Sequence, residues 1–160
     1  RTRHIGGRAD GGVDLRGEWP LPPHTLTPDN KTPIIHNVIV QCKNITNKCP
    51  PNTVRELEGV LARQPGNLGI LACTRPASDL ARHRLHASTL PILFVMVPFG
   101  DGVDGDGEQE VGEAVLSEAF RRQVPQLCVS AAISMDYQSG KRVDRLLFTF
   151  NGRPFTNQVD

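Results

Sequence analysis

The chain has 160 residues, of which 38% are hydrophobic, so it is long enough for one domain with its own core and too apolar to be a disordered chain. Eighteen basic against seventeen acidic residues leave a formal charge of +1, and that balance by itself points to no polyanionic partner. No apolar run approaches the roughly 18 residues of a membrane span, so no membrane is expected among its partners.

Glycine and proline contribute 15 and 13 residues, above the usual sum of about 12%, which predicts long loops on a small core. The chain begins at Arg1 with no secretory signal in view, as expected of a processed or excised piece. The formal glycosylation sequons at Asn30 and Asn44 are accordingly read as chance.

In chain order, residues 1–12 are basic and glycine-rich and read as loop, followed by a short strand over 13–19. Prolines 20, 22, 23, 28 and 33 punctuate the next loop. Residues 33–43, rich in β-branched side chains, form the strongest strand signal. The spacing of Val54, Leu57, Val60 and Leu61 predicts a helix over 53–64, with Thr53 as N-cap and Glu56 closing a capping box. Residues 68–74 read as a buried strand, 78–87 as a helix capped by Ser78 or Asp79, and 90–98 as another apolar strand. Residues 100–110 read as a solvated acidic loop and 112–122 as a third helix. Two strands, 127–137 and 142–150, are joined by a turn at 138–141, and Asn151-Gly152 makes a further turn. Strand and helix alternate through the middle of the chain, which implies a mainly parallel central sheet with helices on its faces. One domain is expected over 1–160, with its core at about 5–100, the acidic loop at about 100–110, and the last helix and hairpin at about 112–153.

The net charge hides a segregation. Residues 85–120 contain no Lys or Arg and seven acids, which leaves 18 basic and 10 acidic residues, a net +8, on the rest. That is compatible with a basic face for a polyanion and equally with one acidic loop. The four cysteines, 42, 49, 73 and 128, show no C-x-x-C spacing, and buried free thiols are the simplest account.

Within the 33–43 strand, Gln41 and Lys43 are two apart and share a face, while Cys42 points the other way, into the core. Asp14 ends a glycine-rich stretch on the strand that would pair with it. A carboxylate, an amide oxygen and an ammonium can then converge. Oxygen donors of this kind suit Mg²⁺, and the lysine can hold an attacking water and steady developing negative charge. From the residues alone, Asp14 is also readable as a turn or cap, Gln41 as an edge-strand polar group and Lys43 as a solvated strand end.

Three segments, Gly6-Gly-Arg-Ala-Asp-Gly-Gly-Val-Asp-Leu15, Val38-Ile-Val-Gln-Cys-Lys43 and Val54-Arg-Glu-Leu-Glu-Gly59, resemble the Mrr-like branch of the PD-(D/E)XK nucleases. So does residues 68–74 with the helix after it. The combination is most similar to a fungal mitochondrial family named for being required for respiratory growth, over roughly residues 5–100 and more loosely at the C-terminal hairpin. This resemblance implies a restriction-endonuclease-like α/β fold, with a central mixed sheet flanked by helices and a C-terminal β-hairpin. It implies a DNA endonuclease dependent on Mg²⁺ or Mn²⁺, and placement in the mitochondrion. Asp14 is then a metal ligand, Gln41 stands in the second acidic position and Lys43 is the catalytic lysine. The backbone of Cys42 is expected to assist Asp14 and Gln41 at the metal. A non-catalytic nuclease-fold module for nucleic-acid binding or assembly is the alternative, and a homodimer is a further possibility.

Arg8, Arg75, Arg82 and Arg84 are the expected phosphate contacts. His83 and His86, on the same helix as Arg82 and Arg84, are readable as metal ligands, a basic face or simply a solvated one. Glu56 is readable as facing the metal and Asp10 as a second ligand, but the capping box accounts for the first and an Asx turn before Gly11-Gly12 for the second. Asp101, Asp104 and Asp106 lack the calcium-loop spacing, and Trp19 reads as packing rather than a base-stacking platform.

Overall fold

A computed structural model describes residues 2–4, 12–21, 34–97, 112–135 and 142–154. Arg8, Asp10, the acidic 100–110 segment and the 138–141 turn lie outside the described residues.

The main sheet has six strands: β1 (Thr2–His4), β2 (Leu15–Leu21), β3 (Ile34–Lys43), β4 (Asn67–Cys73), β5 (Ile92–Met96) and β6 (Ala114–Leu116), in that spatial order. β3, β4 and β5 run parallel, and the outer pairings are antiparallel. The sheet is therefore mixed, with the parallel strands at its centre, as alternating strands and helices predict. Helices α1 (Pro51–Ala62) and α2 (Asp79–Ala87) make the crossovers. A second, antiparallel sheet holds β7 (Leu127–Met135), β8 (Arg142–Phe150) and β9 (Arg153–Pro154).

Period-two alternation on the central strands divides two cores. On one face, Ile39, Leu71, Cys73, Ile92, Phe94 and Met96 pack with Val54, Leu57 and Leu61 of α1 and Ala81 and Leu85 of α2. On the other, Val38, Leu68 and Leu93 meet Phe120 of α3 (Glu118–Gln123) and Leu127 and Phe150 of the second sheet. Helices thus flank both faces. Gly69 of β4 lets α1 lie close: a Cβ there would stand 2.6 Å from Leu61 Cδ1. Asn151 (φ 51°) and Gly152 (φ 73°) form the expected tight turn, both central residues being left-handed.

Four expectations are corrected. Residues 2–4, within the stretch expected to be loop, form strand β1, paired antiparallel with β2. The helix expected over 112–122 is strand β6 followed by α3. Ala114, Val115 and Leu116 pair with β5, and Ser117 ends the strand and caps the helix by accepting from Phe120 N–H (3.1 Å). Helix α1 starts at Pro51, not after Thr53. Proline fits the first helical position because its missing N–H would have no intrahelical partner. No side chain caps α1, so there is no capping box; Thr53 is buried inside the first turn and Glu56 is released for another role. Finally, Cys42 is exposed rather than in the core, because the layer that buries Val38 on that face stops short of it. Cys128 is exposed as well, and only Cys49 and Cys73 are buried; all four are free thiols.

Candidate active site

The N-terminal end of β2 meets the C-terminal end of β3 through Asp14. Its N–H donates to Val40 O (3.0 Å), and its Oδ2 accepts from Cys42 N–H (2.6 Å). These two bonds bracket Gln41, so Asp14 stands directly across from it. The preceding turn needs Gly12. Its φ of +79° favours glycine, and a Cβ there would come within 3.2 Å of Gln41 Nε2.

Gln41 and Lys43 face α1, as their spacing predicts, and line a cavity of about 410 Å³ with Gly12, Arg55, Glu56, Gly59, Val60 and Arg63. Gln41 is 2% exposed, and its Oε1 accepts no hydrogen bond among the described residues. An amide oxygen buried without a donor costs about 1–3 kcal/mol. Lys43 Nζ forms an ion pair with Glu56 at 3.0 Å, their side chains being 32% and 50% exposed. Asp14 does not line the cavity; it sits at the margin, clamping the Cys42 peptide. The Cys42 thiol titrates above its usual range, raised first by partial burial and then by the Asp14 charge. It is therefore not a thiolate donor at neutral pH. In the first core, the buried thiols of Cys49 and Cys73 hydrogen-bond to each other. That bond and burial hold Cys73 well above the ordinary thiol value.

The arginines of α2 have other engagements. Arg82 Nε donates to Glu113 Oε1 (2.5 Å) and Nη1 to Asp79 Oδ1 (2.9 Å), and Glu113 raises its pKa further. Arg84 Nε donates to Glu58 Oε2 (2.8 Å), which also receives its Nη2, while Ser88 Oγ donates to Glu58 Oε1 (2.8 Å). Arg75 is half-buried, just beyond the end of β4, and does make an interaction. His83 and His86 are exposed, and no group of three or more His, Cys, Asp or Glu able to hold a metal occurs among the described residues. Trp19 is half-buried against the second core, in keeping with a packing role.

The structure thus brings Gln41 and Lys43 together, places Asp14 beside them and adds Glu56, which the sequence weighed and assigned to a cap, and Arg55 and Arg63, which it did not single out. The signal for Glu56 was present: it lies four residues before Val60 on a helix that follows the lysine strand. The apparent capping box obscured it.

The family described as Required for respiratory growth protein 7 matches residues 1–117. An uncharacterized mitochondrial protein of Schizosaccharomyces pombe is 36% identical over 98 residues, which are 61% of this chain and 37% of that protein. That relative's placement supports a mitochondrial localisation, as the resemblance implied. Among solved structures, MspJI restriction endonuclease in complex with a 27-mer oligonucleotide is similar with a TM-score of 0.42 and 24% identity, over 59% of this chain and 20% of that one. A likeness of that size carries no argument about chemistry. No helix of the described residues is long and apolar enough to cross a membrane.

Proposed function

The chain belongs to the Required for respiratory growth protein 7 family, and on that premise we propose that it is a metal-dependent endonuclease hydrolysing phosphodiester bonds in DNA at the Gln41–Lys43 cavity. The observation that carries this reading is the Gln41 amide oxygen, buried and without a donor among the described residues, beside Lys43. A fold optimised only for stability would fill or pair that position; an oxygen left open is suited to a ligand.

The donor set fits a hard cation. Gln41 Oε1 is open, and one Asp14 oxygen is not used by Cys42 N–H. With the Cys42 carbonyl, these are oxygen donors only, which suits Mg²⁺ or Mn²⁺ keeping several waters. When bound, such an ion supplies positive charge at the phosphate and acidifies a coordinated water. The chain's own part is positional and electrostatic. Asp14 holds the β3 backbone on both sides of Gln41 and so fixes its direction. Lys43 donates to the phosphate oxygen or the attacking water as charge develops, and Glu56 keeps its ammonium aimed into the cavity.

The alternative is a nuclease-fold module that binds nucleic acid or serves assembly without cleaving. It is favoured by the commitment of Asp14 Oδ2 to Cys42 N–H and of Glu56 to Lys43, which leaves neither carboxylate wholly open to a metal. Supercoiled plasmid incubated with the full-length protein in Mg²⁺ and in Mn²⁺ separates the two. The proposal expects nicking or linearisation, with a loss of about 10²–10³-fold in Lys43→Ala and in Asp14→Ala. Salt-sensitive DNA binding with no cleavage by the native protein favours the module instead.

A further inference from the structure

Two arginines of α1, Arg55 and Arg63, line the Gln41–Lys43 cavity. Both are exposed, and neither guanidinium meets a carboxylate among the described residues. Their setting differs from that of Arg82 and Arg84, whose charges are met by Glu113, Asp79 and Glu58. The cavity lining therefore carries Lys43, Arg55 and Arg63 against the single carboxylate of Glu56, an excess of two positive charges. Arg16 of β2 does not line the cavity; its guanidinium is bonded to the neutral amide of Gln64 just beyond Arg63.

Arg55 and Arg63 are eight residues apart, about 12 Å along the helix axis. Arg63 folds back over Gly59, where a Cβ would stand 3.7 Å from its Nη1, so its side chain turns toward the cavity. A polyanion with one phosphate at Lys43 would present neighbouring phosphates to each side.

We propose that Arg55 and Arg63 form a two-point clamp for the DNA backbone, each contacting a phosphate flanking the one held at Lys43. The clamp rests on the endonuclease reading for its choice of DNA, and it moves the principal phosphate contacts from α2 to α1. Such contacts position the strand and add a salt-dependent, sequence-independent affinity.

The test uses a labelled 25-base-pair DNA duplex titrated with the full-length protein in chelator, by anisotropy, from 50 to 200 mM salt. Arg55→Gln/Arg63→Gln is compared with Arg121→Gln/Arg153→Gln, which removes the same charge from exposed sites of the other layer. The clamp predicts a loss of roughly tenfold at low salt and a salt slope reduced by about 1.8 in the first double variant, against little change in the second. Unaltered melting profiles exclude a folding artefact. Equal weakening by both doubles, or an unchanged slope in the first, overturns the clamp, and tighter binding of an RNA duplex of equal length overturns its assignment to DNA. Because this readout needs no metal and no cleavage, a failed plasmid assay with an Arg55/Arg63-dependent slope removes the endonuclease reading and leaves the clamp standing.

Discussion

Glu56 and Glu58 leave α1 two residues apart, and each faces a cation, yet they do different work. Glu58 is 14% exposed, takes two donors from Arg84 and one from Ser88, and so ties α1 to α2 with its lone pairs well used. Glu56 is 50% exposed, has one partner in Lys43, and sits over a cavity containing an unsatisfied amide oxygen. A saturated, half-buried ion pair belongs to the scaffold, because breaking it strands a desolvated charge. A single, solvated pair contributes little to folding and is free to exchange partners when an anion arrives. The degree of saturation, more than the presence of opposite charges, separates structure from function on this helix.

That contrast has consequences for stability. Glu58→Ala should cost the most, about 1–3 kcal/mol, because Arg84 and Ser88 lose their acceptor. Urea unfolding reads this out, and a change under 0.5 kcal/mol removes Glu58 from the scaffold. Gly12→Ala should cost roughly 1 kcal/mol through its left-handed φ and also press on the Gln41 amide. A variant as stable as the native protein would show that the turn relaxes freely. Glu56→Gln should change stability by no more than about 0.5 kcal/mol, since its pair with Lys43 is largely solvated, while plasmid cleavage falls. Large destabilisation with intact cleavage would make Glu56 a second Glu58. The smallest effect is at Cys42. Its thiol is raised by burial and by Asp14, so it alkylates slowly near pH 8, where little thiolate is present. Asp14→Asn removes the negative charge, lowers that pKa and should speed alkylation; an unchanged rate contradicts the placement of Asp14 beside Cys42.

The central strands and α2 were legible in the sequence because their signals are local. β-branched runs mark β3, and Ser78 caps α2 by accepting from Ala81 N–H (3.2 Å). The shared face of Gln41 and Lys43 followed from strand periodicity. What local pattern could not carry was decided by packing between distant segments. Thr53 and Glu56 look like a capping box, but the helix begins earlier at Pro51, and Glu56 is claimed by Lys43 thirteen positions upstream. The 112–122 stretch became β6 and α3 because β5 offered an unpaired edge. Arg82 and Arg84 read as a basic face in one dimension. In the fold, Glu113 and Glu58 arrive from 31 and 26 residues away to compensate them.

The most direct test of the central claim is the response of Gln41→Leu to Mn²⁺, followed by thermal unfolding with and without the ion. Leucine removes an unsatisfied buried oxygen at little change in volume, so without metal the variant should melt at or above the native temperature. The native protein should gain stability with Mn²⁺ concentration, and Gln41→Leu should gain none. A native protein indifferent to Mn²⁺, or a variant that keeps the full metal response, contradicts the assignment of Gln41 as a ligand and with it the reading of this cavity as a metal-dependent active site.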